Sequence, residues 1–152
     1  MPHRQLTTYQ AVILQARAYR TVRTFMVETL RNYGLTLTEW LMIGVVVDTN
    51  RDGARISDLA EVLGVELPVI TNLVKRAELT GWVTRTTDTT DKRAKRIIST
   101  MEGREKACDI EGELQTATGT WLKDLDVSML DGYLTTVGTL AVKEVPSEAI
   151  VK

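Results

Sequence analysis

The stretch Thr87–Thr100, with the sequence TDTTDKRAKRIIST, decides the fold of this 152-residue chain. A polar turn containing Asp88 and Asp91 is followed by four cations within five residues, from Lys92 to Arg96. β-Branched residues follow, and residues 82–85 form another short β-prone run before the turn. Two strands joined by a cationic turn predict a β-hairpin whose tip can reach a phosphate backbone.

Two helices are predicted directly before the hairpin. The first begins at an N-cap, Ser57, and ends at Gly64. The second carries Pro68 in its first turn and stops at Gly81, and its predicted buried side consists of Val69, Ile70, Leu73, Val74 and Ala77. Helix, turn, helix and basic hairpin follow in the order of a winged helix-turn-helix DNA-binding domain.

Longer helices are predicted on the N-terminal side of this domain. Apolar residues recur every three or four positions over residues 6–33, which predicts one amphipathic helix that ends at Gly34. Thr38 is the predicted N-cap of a further helix, which runs to about Asn50.

Two helices are predicted after the hairpin. Thr100 is the predicted cap of the first. The run Ser128–Asp131 resembles a capping box for the second, and Pro146 lies beyond its end.

The predicted fold class is therefore mainly α with a small β-hairpin wing (α+β). Residues 35–103 form the predicted winged helix-turn-helix domain, and residues 1–34 and 104–152 form a helical dimerisation region. Because apolar stripes on such arms more often meet a second subunit than fold back alone, a homodimer is predicted. A dimer would set two recognition helices about 34 Å apart, which suits a pseudo-palindromic operator in double-stranded DNA.

Charge is distributed unevenly along the chain. The net charge is −1, but residues 107–152 carry eight acidic and three basic side chains, so the acid is concentrated away from the predicted DNA-binding segment. No apolar run is long enough for a membrane span and no secretory signal is apparent, so no membrane contact is predicted. A single cysteine, Cys108, fits the cytoplasm.

At this point the pattern resembles the MarR family of transcriptional regulators. The matching residues are Ile56-Ser57-x-Leu59-Ala60-x-x-Leu63-Gly64-Val65, Val69-x-Thr71-x-Leu73-Val74-x-Arg76-x-Glu78-x-x-Gly81-x-Val83-x-Arg85, Asp88-x-x-Asp91-Lys92-Arg93-Ala94 and Thr100-x-x-Gly103. The resemblance covers residues 35–106 well and the flanking helices only by architecture. Two positions depart from it: Lys92 stands where Arg is usual, which keeps the charge but loses the planar fork, and Ala77 stands where Leu is usual.

The resemblance implies a homodimeric, DNA-binding repressor or activator, and we expect a repressor without a cofactor. Many members release DNA when a small phenolic or amphipathic ligand binds between the dimerisation helices and the DNA-binding domain. A small aromatic or amphipathic effector is therefore expected, with Tyr19, Arg23, Trp40 and Ile43 as its predicted contacts.

The predicted DNA contacts lie on the second helix of the motif and on the hairpin. Asn72 can bond an adenine edge, Thr71 can meet a thymine methyl, and Lys75 can meet guanine or phosphate. The resemblance places Arg93 in a minor groove, while Asp91 is expected to orient a nearby cation, as is Asp88. The full predicted set is Pro68, Val69, Thr71, Asn72, Lys75, Arg76, Arg85, Asp91, Lys92, Arg93, Lys95 and Arg96.

Each of these assignments has an alternative. The helix residues could form an ordinary solvated face and the hairpin a charged, solvated turn, and Lys95 and Arg96 could serve as edge charges that deter strand pairing. Cys108 is expected to be a small core residue rather than a redox sensor. The only histidine, His3, is expected in a terminal tail, so no metal site is predicted.

Two other functions compete with DNA-binding regulation. An enzyme would need clustered nucleophiles, bases or metal ligands, and one His, one Cys and no Gly-rich phosphate loop do not provide them. A winged helix can also become a protein–protein adaptor without DNA binding. The cations at 92–96 argue against an adaptor, and the modest overall charge keeps that alternative open.

Overall fold

The computed structural model describes residues 6–49 and 51–144. Within these ranges, residues up to Gly112 form one compact unit and residues from Glu113 onward form a second. The elements are α1 (Thr8–Leu30), a 3₁₀ turn (Arg31–Tyr33), α2 (Leu37–Asp48), α3 (Ile56–Leu63), α4 (Leu67–Leu79), β1 (Val83–Thr87), β2 (Lys95–Ser99), α5 (Met101–Trp121) and α6 (Val127–Ala141). The predicted fold class, mainly α with a β-hairpin, is confirmed. Asn50, Pro146 and His3 lie outside the described residues.

The start of α2 differs from the prediction, because Thr36 and not Thr38 is its N-cap. The Thr36 hydroxyl accepts the Glu39 N–H at 3.2 Å, and the Glu39 carboxylate accepts the Thr36 N–H at 2.8 Å. These reciprocal bonds form a capping box that pairs two N–H groups of the first turn. Thr38 lies two residues too late to do this, inside the first turn of the helix.

Ser57 does not cap α3. Its N-cap is Arg55, which has extended backbone angles and makes no side-chain capping bond. Ala54, one residue earlier, forms an antiparallel bridge with Ile97 of β2, so the chain stays extended through this point and the helix begins directly afterwards. Gly64, with a φ of 62°, ends α3 as predicted.

Asp126 caps α6, so the predicted capping box at Ser128–Asp131 is wrong. The Asp126 carboxylate accepts the Ser128 N–H at 2.7 Å, which places Ser128 inside the helix. A carboxylate two residues earlier reaches the free N–H groups first.

The predicted cap at Thr100 is confirmed, and it joins α5 to the end of α4. The Thr100 hydroxyl accepts the Gly103 N–H at 2.9 Å and donates to the Gly81 carbonyl at 2.6 Å. A Cβ at Gly103 would lie 2.2 Å from the Trp82 carbonyl oxygen, so only glycine permits this approach.

The core of the first unit lies where α2 and α4 meet the hairpin. The α1 helix packs on α2, α2 packs on α3 and β2, α3 packs on α4, and α4 packs on β1. The most completely buried apolar side chains are Leu30, Met42, Ile43, Val46, Leu59, Ile70, Val74, Val83 and Ile97. Within the predicted buried side of α4, Ile70, Val74 and Ala77 are buried, but Val69 is 44% exposed and Leu73 is half-buried. The helix buries a narrower stripe than its apolar content suggests.

The hairpin is antiparallel and extends further into the cationic run than predicted. Its register pairs Val83 with Ser99 and Thr87 with Lys95. Lys95 and Arg96 are therefore strand residues, and the turn is reduced to residues 88–94.

Outer helix surfaces remain exposed in both units. On α1, Tyr9, Ile13, Tyr19 and Val22 of the predicted apolar stripe are each about half exposed or more. In the second unit, apolar side chains of α6 are exposed in the same way: Met129, Tyr133, Leu134, Val137 and Leu140. Within the described residues, no helix combines the length and apolar character needed to cross a membrane.

Candidate nucleic-acid interface

The helix α4 presents polar side chains beside an apolar face that packs into the domain. Pro68, Val69, Asn72 and Lys75 are exposed. Thr71 is half-buried, and its hydroxyl donates to the Leu67 carbonyl at 2.9 Å, so its methyl group remains for contact with a base. The predicted helix contacts thus share one accessible region of α4.

Two arginines of the predicted set pair with carboxylates inside the protein. Arg76 Nε lies 2.9 Å from Glu39 Oε1, and Glu39 is buried in the first turn of α2. Arg85 Nε lies 2.9 Å from Glu78 Oε2, which joins β1 to α4. The buried Glu39 carboxylate needs such a partner, so Arg76 links α4 to α2, while the partly exposed Glu78–Arg85 pair links α4 to β1.

Asp88 is the centre of the hairpin's attachment to the rest of the domain. It is 2% exposed, and its Oδ2 accepts Arg55 Nη2 at 2.8 Å and Arg96 Nε at 2.9 Å. Its Oδ1 accepts both the Thr90 N–H and the Thr90 hydroxyl at 2.8 Å. The prediction that Asp88 orients a cation is confirmed, with two cations rather than one.

These bonds stabilise the ionised form of Asp88. The two hydrogen bonds from Thr90, followed by the bond from Arg55, hold the pKa of its carboxyl well below the usual range, although burial acts in the opposite direction. The same ion pair raises the pKa of Arg55. The carboxylate is therefore charged throughout the physiological pH range.

Arg96 ties this centre to the turn between α2 and α3. Its Nη1 donates to the carbonyls of Asp52 at 3.3 Å and Gly53 at 3.1 Å. Arg96 is thus committed to contacts within the domain, and this position favours a structural role over the predicted DNA contact.

The tip of the hairpin carries the cations that remain accessible. Lys92 and Arg93 are exposed, and within the described residues neither has an ion pair. Asp91 was expected to orient a cation, but its carboxylate accepts the backbone N–H of Arg93 at 3.0 Å and so shapes the turn. Lys95 Nζ donates to the Thr87 hydroxyl at 3.1 Å across the strands.

A separate apolar groove of about 620 Å³ lies between α2 and α5. Of the predicted ligand contacts, Trp40 lines it, Ile43 is buried in the core, and Tyr19 and Arg23 are exposed on α1 outside its lining. The lining residues are Trp40, Leu41, Gly44, Val45, Val47, Asp48, Arg104, Ala107, Cys108 and Glu111.

Cys108 is exposed in this groove, so its assignment to the core is wrong. The buried side of α5 is formed by Ala107, Ile110 and Leu114, and Cys108 lies about 100° around the helix from Ala107. Within residues 6–49 and 51–144, no cluster of metal-ligating side chains occurs.

Several contributing residues were absent from the predicted set. Arg55 and Thr90 complete the Asp88 centre, and Glu39 and Glu78 hold the two paired arginines. The bond from Thr90 was predictable, because an Asp side chain commonly accepts the backbone N–H two residues further on in a turn. No local pattern pointed to Arg55, which lies 33 residues from Asp88.

The sequence of this chain matches a family model, and its fold is similar to that of several solved structures. Residues 33–94 match the family model described as the MarR family. The structure of CouR from Rhodococcus jostii RHA1 bound to p-coumaroyl-CoA has a TM-score of 0.77 and 23% identity, over 94% of this chain and 99% of that chain. A transcriptional regulator (MarR family) from Rhodococcus sp. RHA1 has a TM-score of 0.80 and 22% identity, over 93% and 99%. The S. aureus MepR–DNA complex has a TM-score of 0.70 and 18% identity, over 90% and 98%. At these identities, the structural likeness establishes the fold.

We predict that Asp88→Asn lowers the free energy of unfolding at neutral pH, because the amide would present N–H donors to the arginines. Since the folded-state pKa of Asp88 is depressed, its stabilisation is complete above the unfolded pKa of about 3.9 and is lost as pH falls below that value. Urea unfolding should therefore show a difference from wild type at pH 7 that shrinks steadily below about pH 4.

Asp109→Asn makes the same chemical change at an exposed position and serves as the control. It should leave the free energy of unfolding near that of wild type. A difference between Asp88→Asn and wild type that stayed constant from pH 7 into strong acid would rule out the ion pairs as its source.

Proposed function

We propose that this chain, whose residues 33–94 match the family model described as the MarR family, is a transcriptional regulator that binds double-stranded DNA through α4 and the hairpin. The observation that carries the proposal is the separation of its cations into two groups. Arg76, Arg85 and Arg96 are paired within the domain, whereas Lys92 and Arg93 extend from the hairpin tip without an ion pair among the described residues.

The side chains of the proposed interface make two kinds of DNA contact, with phosphates and with bases. Lys75 and the tip cations supply attraction to phosphate, which does not depend on sequence. Asn72 and the methyl of Thr71 supply the base contacts in a major groove. The MepR–DNA complex supports this arrangement, because that protein shares the fold and was determined with DNA.

A homodimer on a pseudo-palindromic operator is the second part of the proposal. The exposed apolar side chains of α1 and α6 are supporting evidence, since soluble monomers rarely expose such extended apolar stripes. Two copies would bring two recognition helices to successive turns of one DNA face.

Control by a small molecule is the third part, and we propose a repressor that an aromatic or amphipathic effector releases from DNA. The groove between α2 and α5 is large enough for a small aromatic compound and has Trp40 and Arg104 in its lining. CouR, which shares the fold, was determined with p-coumaroyl-CoA. Trp40 follows Glu39, the partner of Arg76 on α4, so a change in α2 has a direct route to the recognition helix.

We predict different effects for Arg93→Ala and Asn72→Ala. Each lost phosphate contact lowers the salt slope of binding by about 0.9, so Arg93→Ala in a dimer should reduce it by about 1–2 and weaken operator and random DNA alike. Asn72→Ala should cost about 1–3 kcal/mol per lost base contact and narrow the preference for the operator.

Fluorescence anisotropy across a salt series, with the region upstream of the chain's own gene and a random duplex, measures both effects. The Glu28–Arg31 pair on the surface offers a control, Arg31→Ala, with the same charge change as Arg93→Ala. An unchanged affinity and slope for Arg93→Ala would mean that the hairpin does not touch DNA, and the adaptor function would then be favoured.

We predict that Ile13→Glu converts the dimer to a monomer. Ile13 is 52% exposed on the α1 stripe, and a carboxylate there would lose its hydration at an interface without a partner. Every 1.4 kcal/mol weakens association about tenfold. Sedimentation velocity should show a dimer for wild type and for Gln15→Glu, which adds the same charge to the same helix. A monomeric wild type at micromolar concentration contradicts the proposal.

We predict that Cys108→Phe, which fills the groove, abolishes effector binding. A ligand at about 100 times its Kd stabilises the folded protein by about 2.7 kcal/mol, which a thermal-shift assay detects. Salicylate, p-coumarate and p-coumaroyl-CoA are suitable probes, and Asp109→Phe is the matched control outside the lining. If no probe raises the Tm of wild type, or if Cys108→Phe responds equally, the groove is not the effector site for these compounds.

A further inference from the structure

The two faces of the hairpin have different surroundings. Arg85 reaches Glu78, so the face that carries Arg85 is directed towards α4. Successive residues of a strand point to opposite faces, so the cross-strand pair Thr86 and Arg96 belongs to the other face. Arg96 confirms this by binding the carbonyls of the turn between α2 and α3.

A polar cleft of about 410 Å³ lies on this second face and is hereafter called the flank cleft. Its lining consists of Arg51, Asp52, Thr86, Thr87, Thr89 and Arg96. Guanidinium groups and threonine hydroxyls are among the side chains that bind phosphate oxygens. The composition of the flank cleft therefore matches a phosphate group.

Arg51 is the side chain in the flank cleft best placed to bind an external anion. It is exposed, and no hydrogen bond or ion pair joins it to the rest of the described chain. Arg96 lies beside it, held at a fixed position by Asp88. One Asp88 carboxylate serves both Arg55 and Arg96, so it cannot neutralise both. The five side chains Arg51, Arg55, Arg96, Asp52 and Asp88 together carry one positive charge in excess.

A hairpin that enters a minor groove has a sugar–phosphate strand on each side, because that groove is only about 6 Å wide. With α4 in the adjacent major groove, the strand between the two grooves would lie on the side of the hairpin towards α4. We propose that the flank cleft binds a backbone phosphate of the other strand, on the side of the hairpin away from α4, with Arg51 as its main contact. This inference rests on the proposed DNA binding and adds a phosphate contact outside the recognition helix and the hairpin tip.

The test measures the salt dependence of DNA binding for Arg51→Ala, Arg51→Lys and Thr86→Val. Because each dimer has two flank clefts, Arg51→Ala should reduce the salt slope by about 1–2 on operator and random duplexes alike. Arg51→Lys keeps the charge and should restore the slope. Thr86→Val loses a hydroxyl but no charge, so it should weaken binding and leave the slope unchanged. Arg31→Ala, with the same charge loss at the end of α1, is the control.

Hydroxyl-radical footprinting locates the contact. Arg51→Ala should lose protection on the outer side of each minor-groove footprint and keep the protection made by α4. If wild type binds DNA but Arg51→Ala retains its slope and footprint, the inference is wrong while the proposed function stands. If wild type binds no DNA, the proposed function fails first and this inference falls with it.

A free phosphate-bearing compound is the other source of the same chemistry. Inorganic phosphate, titrated at constant ionic strength without DNA, would then shift the amide resonances of Thr86 and Thr89 in wild type. Such shifts combined with an unchanged salt slope for Arg51→Ala would assign the flank cleft to a free anion and overturn the proposal.

Discussion

One buried carboxylate, Asp88, holds the hairpin in place. It accepts bonds from the turn through Thr90, from the base of α3 through Arg55 and from β2 through Arg96. A buried carboxylate with no partner is costly, so any movement of the hairpin that separated these groups would be opposed. A two-stranded hairpin is only marginally stable alone in water, and this attachment explains how it can present a fixed cationic tip.

The attachment also explains how a chain with a net charge of −1 can offer a surface to DNA. The carboxylates of Glu39 and Asp88 are buried, that of Glu78 is partly exposed, and all three are paired with arginines. The side chains of Lys75, Lys92 and Arg93 are exposed to solvent, and the excess of acidic residues lies in the C-terminal third of the chain. Local arrangement rather than total charge decides the electrostatics of the proposed interface.

The positions of the helices and of the hairpin were predictable from the sequence, because they depend on patterns among neighbouring residues. Hydrophobic periodicity and capping residues identified the α-helices of the described residues, and the charge run identified the hairpin. Helix starts were less predictable: Thr36 and Thr38 are equally good capping residues, and only the position of Glu39 distinguishes them. Extension of the chain by the Ala54–Ile97 pair moved the start of α3 away from Ser57. Such effects depend on neighbours distant in sequence.

For the candidate interface, the exposed residues were predictable from the sequence and the long-range ion pairs were not. The exposure of Asn72, Lys75, Lys92 and Arg93 follows from helix and turn patterns. The pairing of Arg55 with Asp88 does not, because residues 33 positions apart share no local signal. The exposure of Cys108 could not be predicted either, since helical spacing does not tell which of two adjacent small residues faces the core.

Amide hydrogen exchange of the wild-type protein tests the central claim, that Asp88 fixes the hairpin tip to the domain. The Thr90 N–H donates to Asp88, and the Ala94 N–H donates to the Asp91 carbonyl within the same turn. If the tip is held as described, both amides exchange far more slowly at neutral pH than those of an unstructured peptide, at rates that follow opening of the hairpin. Exchange of both amides at the peptide rate, with the core amides of α2 still protected, would contradict the account.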